Sequence, residues 1–459
     1  MPSRDHSLLQ SQQHAPETDT RAVPGATTYA DLNKRYREVF RRIAEGVVDR
    51  EKERILPYEQ VEWLRHAGFG ALRVPCEFGG EGVDAPTLFR LLIDLAVADP
   101  HVAHLWRGHF AFLEDRLSTG DLEDREFWAA EAVERHAIIG NAQSEQGIES
   151  WEKQTTVLTR DGDGGLTITG QKYYSTGTLF ADWVNVTARF GDEFASFPVR
   201  TDAPGVLRFD DWDGFGQKLT GTGTTKFERA EVDERHVIVH SASKRPITHM
   251  IGLYQLHLLS VIAGIGRRAV DDIVEHIRAS KRHPLGSPPG TTPAADPLNQ
   301  AVIGRASAKV KAVKASVLDA AEDLERAWQA RLSAEDAEEA ANAANLSVYQ
   351  SQVVVIPLVL EATTSIFDAT GASSTSVGKV LDRHWRNART ISSHNPLPRK
   401  EQWVGTYELL GELPYPWKFR TGNTGSEERD AVLDDDTDQD REKLGQTAED
   451  QSGCRISTS

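Results

Sequence analysis

The stretch DRHWRNARTISSHNP, residues 382–396, decides how the rest of this chain is read. Arg383, Arg386 and Arg389 recur every third residue, which places them on neighbouring parts of one helix face. Each guanidinium is a planar donor fork for a phosphate or a carboxylate. The proline at 396 is expected to close the helix. His394, just before that stop, is expected at a pocket mouth with a near-ordinary pKa, available as an acid or base. The plain alternative is a charged helix whose arginines pair with carboxylates. The choice between the two depends on the surrounding chain.

With 459 residues the chain can build one large or two to three ordinary domains. Its 39% hydrophobic content and polar first residues read as a soluble protein without a signal peptide. No run of about 18 uninterrupted apolar residues is present, so no membrane partner is expected. Cys76 and Cys454 stand far apart, which excludes a disulfide scaffold and a cysteine-based zinc site. The expected location is cytoplasmic. The net charge is −17; residues 426–450 hold eleven Asp/Glu against three Lys/Arg, a net −8, leaving −9 for the rest. That acidity argues against nucleic-acid binding, which leans on phosphate neutralisation.

Residues 1–27 and the acidic tail, 421–459, are expected to be disordered, having little apolar surface to bury. From 28 to 137 the pattern is helical: Leu32, Tyr36, Val39, Phe40, Ile43 and Val47 recur at three- and four-residue steps. Between 138 and 240, apolar and polar residues alternate and break at Gly, Asp and Pro, the pattern of antiparallel strands with a hairpin turn at 161–165. From 241 to 420 helices return: 254–282, 298–332 and 334–369, with the opening stretch as the fourth, read as a four-helix bundle. The fold class is therefore α+β, with helical, β and helical segments in that order.

Five landmarks in order carry a resemblance. They are Val74-Pro75 with Gly79-Gly80-Glu81-Gly82, Asn141 to Glu145, Lys172 to Gly177 with Ala181-Asp182, Gly216-Gln217-Lys218 with Thr220 to Thr224, and Phe227-Glu228. In these the chain resembles the acyl-CoA dehydrogenase superfamily of flavoproteins over about residues 28–420. Tyr174 to Gly177, Phe180 to Trp183, Asp210-Asp211-Trp212 and the nine residues from Asp382 to Thr390 resemble its flavin-dependent monooxygenase branch, which includes dibenzothiophene monooxygenases. The resemblance implies a β-barrel middle domain and a homotetramer. It also implies FMN or FAD, used reduced, with a separate flavin reductase as partner. That fits a sequence with no nicotinamide-binding Gly-x-Gly-x-x-Gly unit.

By the same resemblance, the reaction is oxygenation of a small apolar, sulfur-containing substrate by reduced flavin and O2 through a C4a-(hydro)peroxide. His394, His104 and Asn141 are the implied catalytic residues. Ser144, Ser175, Thr176, Trp212, Thr222, Arg282 and Gly371 are the implied flavin contacts, Arg282 across a subunit boundary. No metal site is expected. Two alternatives stay open. An acyl-CoA dehydrogenase would need a carboxylate base near 394–395, where the chain has His394 and Asn395. A flavin-binding protein without chemistry is kept open by Gly108, Ser373, Ile391 and Asn395, all departures from the branch pattern.

Overall fold

The computed structural model describes residues 27–146, 154–162, 164–240, 247–334 and 336–415. The two expected disordered termini lie outside the described residues, apart from residue 27.

Helices come first: α1 (Tyr29–Ala44), α2 (Val47–Glu53), α3 (Tyr58–His66), α4 (Ala85–Ala98), α5 (Pro100–His104), α6 (Arg107–Thr119) and α7 (Leu122–Val133). The periodic residues Leu32, Tyr36, Phe40 and Ile43 are all buried along α1, whose N-terminus Thr28 caps through its hydroxyl. Asp84 does the same for α4, accepting from Thr87 N–H at 2.8 Å. The turn before α4 needs its glycine: a Cβ at Gly80 would collide with the backbone of Val74.

The strands are β1 (Ile139–Ala142), β2 (Val157–Arg160), β3 (Leu166–Lys172), β4 (Trp183–Phe190), β5 (Glu193–Arg200), β6 (Val206–Arg208), β7 (Thr225–Val232) and β8 (Ile238–His240). They form one sheet in the order β6-β7-β3-β2-β4-β5-β8, with β1 added beside β4. The expected hairpin is present. Antiparallel β2 and β3 meet at a turn in which Asp161 N–H donates to Gly165 O at 2.8 Å. Two features depart from the antiparallel barrel. β4 pairs in parallel with both β1 and β2. Among the described residues β6 and β8 end the sheet unpaired with each other, so it is open. Alternation identifies strands, but closure depends on how the two ends pair, which the pattern does not encode.

The C-terminal half contains α8 (Met250–Ala279), α9 (Pro297–Ser333), α10 (Ala337–Ser365), α11 (Arg383–Ser392) and α12 (Leu397–Leu410). Three of these are the expected long helices. The opening stretch gives only the ten-residue α11, which ends before Pro396; that proline caps the start of α12 instead of closing α11. By mean hydropathy α8 and α10 are apolar and long enough to cross a bilayer, although neither is an uninterrupted apolar run. In α8, 83% of that apolar window is buried within the fold, as a core helix requires.

One apolar cluster runs from Leu32 and Tyr36 of α1 through α4 to Leu256, Val317, Val355 and Ile391 of the later helices. A separate cluster, including Val184, Val186, Phe197 and Phe227, fills the sheet. The junction of helical core and sheet is where the candidate site lies.

Candidate active site at the helix–sheet junction

The site starts with a capped turn. Asp99 accepts from the backbone N–H groups of His101 and Val102, starting α5, and α5 and α6 then bring His104, Arg107 and Gly108 together. Gly108 touches the second element of the site: a Cβ there would stand 2.9 Å from Oδ1 of Asn141 on β1. That Asn141 oxygen is buried and has no hydrogen-bond partner.

A hydrogen-bonded run links Asn141 to His104. Asn141 N–H reaches Thr176 O at 3.5 Å. The Thr176 and Thr222 hydroxyls lie 3.0 Å apart and the Thr222 and Thr220 hydroxyls 2.7 Å apart, a chain in which each hydroxyl can donate to the next. Thr220 donates to the carbonyl of Gln217 at 3.2 Å. The Gln217 side-chain oxygen then takes His104 Nδ1–H at 2.8 Å. Gln217 sits at a φ of 51°, a conformation that costs a non-glycine residue energy and clusters at functional sites. Its backbone N–H is held by Asn387 Oδ1 of α11 at 2.6 Å. Gly216 lets this loop lie directly on the Arg386 carbonyl and the Thr390 hydroxyl.

This contact explains much of the 382–390 signature. Arg383 pairs with Asp272, and Arg386 reaches Glu51 at 3.0 Å and Asp382 at 2.8 Å. These two arginines therefore anchor the helix, as the plain alternative held. Asn387 is what α11 contributes to the site.

His394 follows α11. Its Nε2 faces a guanidinium nitrogen of Arg107 at 3.4 Å, and its Nδ1 lies 2.9 Å from the Asn395 amide. Arginine can only donate, so Nε2 is the acceptor and Nδ1 carries the proton. That assignment turns the Asn395 amide so that its oxygen faces Nδ1, with the Gln255 amide turning to match. The Arg107 charge, with burial second, pushes the His394 imidazole down to about 3, where a near-ordinary value was expected. The ring is exposed, so solvent screens part of this shift while the adjacent guanidinium sets its direction. Burial, helped by the Arg107 charge, pushes His104 down to about 4. Both rings are therefore neutral at physiological pH.

Of the implied flavin contacts, Ser175 is 1% exposed with an unpartnered hydroxyl, while Ser144 is exposed. Trp212 is half-buried, donates its indole N–H to Gly216 O at 3.0 Å and meets the exposed Tyr174 edge-on. Of the buried orphan atoms, Asn141 Oδ1 and Gln217 Nε2 belong to residues of that run and Ser175 Oγ to the residue next to Thr176. Buried polar atoms are normally satisfied, and a planar heteroaromatic ring system rich in donors and acceptors fits them. Arg282 and Gly371 are in contact with each other but lie elsewhere, in a cleft of about 520 Å³ with His276 and Lys379. Tyr254 near the start of α8 packs on Arg107, whereas Arg282 lies past the end of α8 at Ala279. At about 1.5 Å per residue, the 25 residues from Tyr254 to Ala279 span roughly 37 Å. Arg282 does not reach this site within one chain.

Sequence reasoning missed Arg107. A lone arginine opening an apolar helix carries no pattern; its place beside His394 becomes visible only in the folded chain.

Residues 257–398 match the family model described as acyl-CoA dehydrogenase, C-terminal domain. Dibenzothiophene monooxygenase of Mycolicibacterium goodii is 30% identical over 420 residues, 87% of this chain and 98% of that protein. The probable FMNH2-dependent monooxygenase SfnC of Pseudomonas putida is 24% identical, over 83% of this chain and 95% of its own. In fold, the chain superposes on TdsC of Paenibacillus sp. A11-2, solved with FMN and indole. The TM-score is 0.77, at 24% identity, over 83% of this chain and 98% of that one. The chain belongs to the acyl-CoA dehydrogenase-like flavin-dependent monooxygenases, the family of dibenzothiophene monooxygenase.

Proposed function

We propose that this monooxygenase uses reduced FMN, delivered by a separate flavin reductase, to oxygenate a small organosulfur compound. The observation that carries the flavin's placement is the set of orphaned buried atoms at Asn141, Ser175 and Gln217. FMN rather than FAD, and sulfur as the oxygenated atom, are supported by what the relatives are named for. Bound reduced FMN supplies the electrons for oxygen activation. The chain's own residues do the rest. Asn141 and Gln217 orient the ring system through the amide atoms they leave free. His104, held neutral, keeps an Nε2 lone pair that can accept a proton or a hydroxyl hydrogen bond, and His394 Nε2, facing the Arg107 guanidinium, would do so by giving up that long contact. Asn387 keeps the Gln217 loop in place.

Against the dehydrogenase alternative, residues 394–395, where its carboxylate base would stand, are His394 and Asn395. Among the described residues no Asp or Glu hydrogen-bonds to His104, Arg107 or His394. The roughly 37 Å separating the Arg282 cleft from the site supports an oligomer in which Arg282 and Gly371 of one subunit meet the FMN phosphate of another, and the family resemblance makes that oligomer a homotetramer. A cytoplasmic location fits the free thiol of Cys76. The test is direct: protein, flavin reductase, FMN and NADH are incubated with a panel of thioethers, sulfoxides and sulfinates. Oxygenated product requiring both the protein and O2 supports the reading; flavin oxidation without product from any sulfur compound counts against it.

A further inference from the structure

Five arginines of the described chain are buried: Arg50, Arg73, Arg107, Arg116 and Arg383. Four of them face a carboxylate. Arg50 pairs with Asp99 at 3.0 Å, Arg73 with Glu114 at 2.8 Å, Arg116 with Asp124 at 3.5 Å, and Arg383 with Asp272. Arg107, only 9% exposed, has no ion pair among the described residues. Its Nε donates to the Tyr254 carbonyl at 3.0 Å, one terminal nitrogen has the long 3.4 Å contact to His394, and the carbon lies 4.9 Å from the Tyr254 ring centre. Burial lowers its pKa only to about 10, so the guanidinium remains charged. The nearby groups, His104, His394, His257 and Tyr254, are all neutral at physiological pH. A buried charge without a counter-charge is costly and is normally compensated.

We propose that Arg107 is the anion-recognition residue of the substrate site, and that the substrate carries a small planar or pyramidal oxyanion such as a sulfinate or carboxylate. The terminal nitrogens, one of them held only by the long contact to His394, form the fork that binds such groups bidentately. With the neighbouring histidines neutral, Arg107 is the one formal positive charge among these groups. This assignment rests on the monooxygenase reading for calling the ligand a substrate; the anion subsite itself does not. Reduced flavin is the other anion that could lie against this fork, and the test separates the two.

The experiment measures binding to the full chain by calorimetry, with benzenesulfinate and its neutral relative methyl phenyl sulfoxide, and FMN separately by fluorescence quenching. The unaltered protein should bind the sulfinate roughly tenfold or more tightly than the sulfoxide. Arg107→Gln should abolish that preference, Arg107→Lys should keep part of it, and FMN affinity should change by less than about twofold. Equal binding of the two compounds by the unaltered protein would overturn the proposal. So would Arg107→Gln losing FMN while keeping the anion preference, because the guanidinium would then belong to the flavin. If circular dichroism shows Arg107→Gln unfolded, the unaltered protein and Arg107→Lys still decide the matter. An intact anion preference with no oxygenated product would count against the monooxygenase reading and leave the subsite standing.

Discussion

Asp272 on α8 is the anchor of the signature helix, and replacing it with asparagine tests that role quantitatively. Its carboxylate takes Arg268 Nε at 2.7 Å, His384 Nε2–H at 2.8 Å and the Arg383 guanidinium. The Asp272 side chain is 9% exposed and that of Arg383 6%. The substituted amide would keep an acceptor but lose the charge, leaving the buried Arg383 with neutral oxygens only, including the Val380 carbonyl. Breaking a buried pair by removing one charge costs about 3–5 kcal/mol. At about 1 °C per kcal/mol for a chain of this length, Asp272→Asn should lower the melting temperature by roughly 3–5 °C, read by calorimetry at pH 7. The pH dependence has a definite sign. Burial pushes the Asp272 carboxyl up, but the His384 hydrogen bond and the Arg383 and Arg268 charges outweigh it and hold it at about 2. A carboxyl depressed in the folded state stabilises above its unfolded value of about 3.9, and that stabilisation fades as pH falls towards the folded value. The gap between the two proteins should therefore narrow from pH 4 down to pH 2. A variant melting within about 1 °C of the original at pH 7, or a gap that widens in acid, would refute the ion-pair account.

Other perturbations address the site. Gly108→Ala places a methyl 2.9 Å from Asn141 Oδ1. It should destabilise by about 1–3 kcal/mol and weaken FMN binding, as shown by quenching titration; unchanged binding would remove Asn141 from the flavin site. His394→Ala, at an exposed ring, should leave the melting temperature and FMN affinity nearly unchanged. Product formation should fall by about a hundredfold or more, the usual range for a lost acid–base group. Arg282→Ala should weaken FMN but not riboflavin, because only FMN carries the phosphate; equal effects on both would exclude a phosphate contact. Gly371→Val, which would drive a side chain into the Arg282 guanidinium, should copy that pattern.

The fold was legible where one periodicity persisted. The α1 face of Leu32, Tyr36, Phe40 and Ile43 is buried as its spacing requires, and the long helices α8 to α10 follow the expected segments within a few residues. Legibility failed where the outcome depended on distant partners. Nothing in the β segment says that β4 would pair in parallel with β1 and β2, or that the sheet would stay open. The Arg383 and Arg386 spacing suggested ion pairs, but Asp272 and Glu51 are recognisable as their partners only in the folded chain. His104 and Asn141 were found through a resemblance and His394 also through its place before a helix stop, and the structure brings them to one junction. Arg107 had no such cue. Its significance is a missing counter-charge, and the charge that depresses His394 comes from it.

The central claim is that this chain puts an atom of molecular oxygen into its substrate. The most direct measurement supplies the protein with reduced FMN under ¹⁸O₂, with organosulfur compounds and, in parallel, acyl-CoA thioesters, followed by mass spectrometry. One labelled oxygen in a sulfur-containing product, dependent on His394, is the predicted result. Unlabelled sulfur compounds together with an acyl-CoA oxidised by the bound flavin would contradict it.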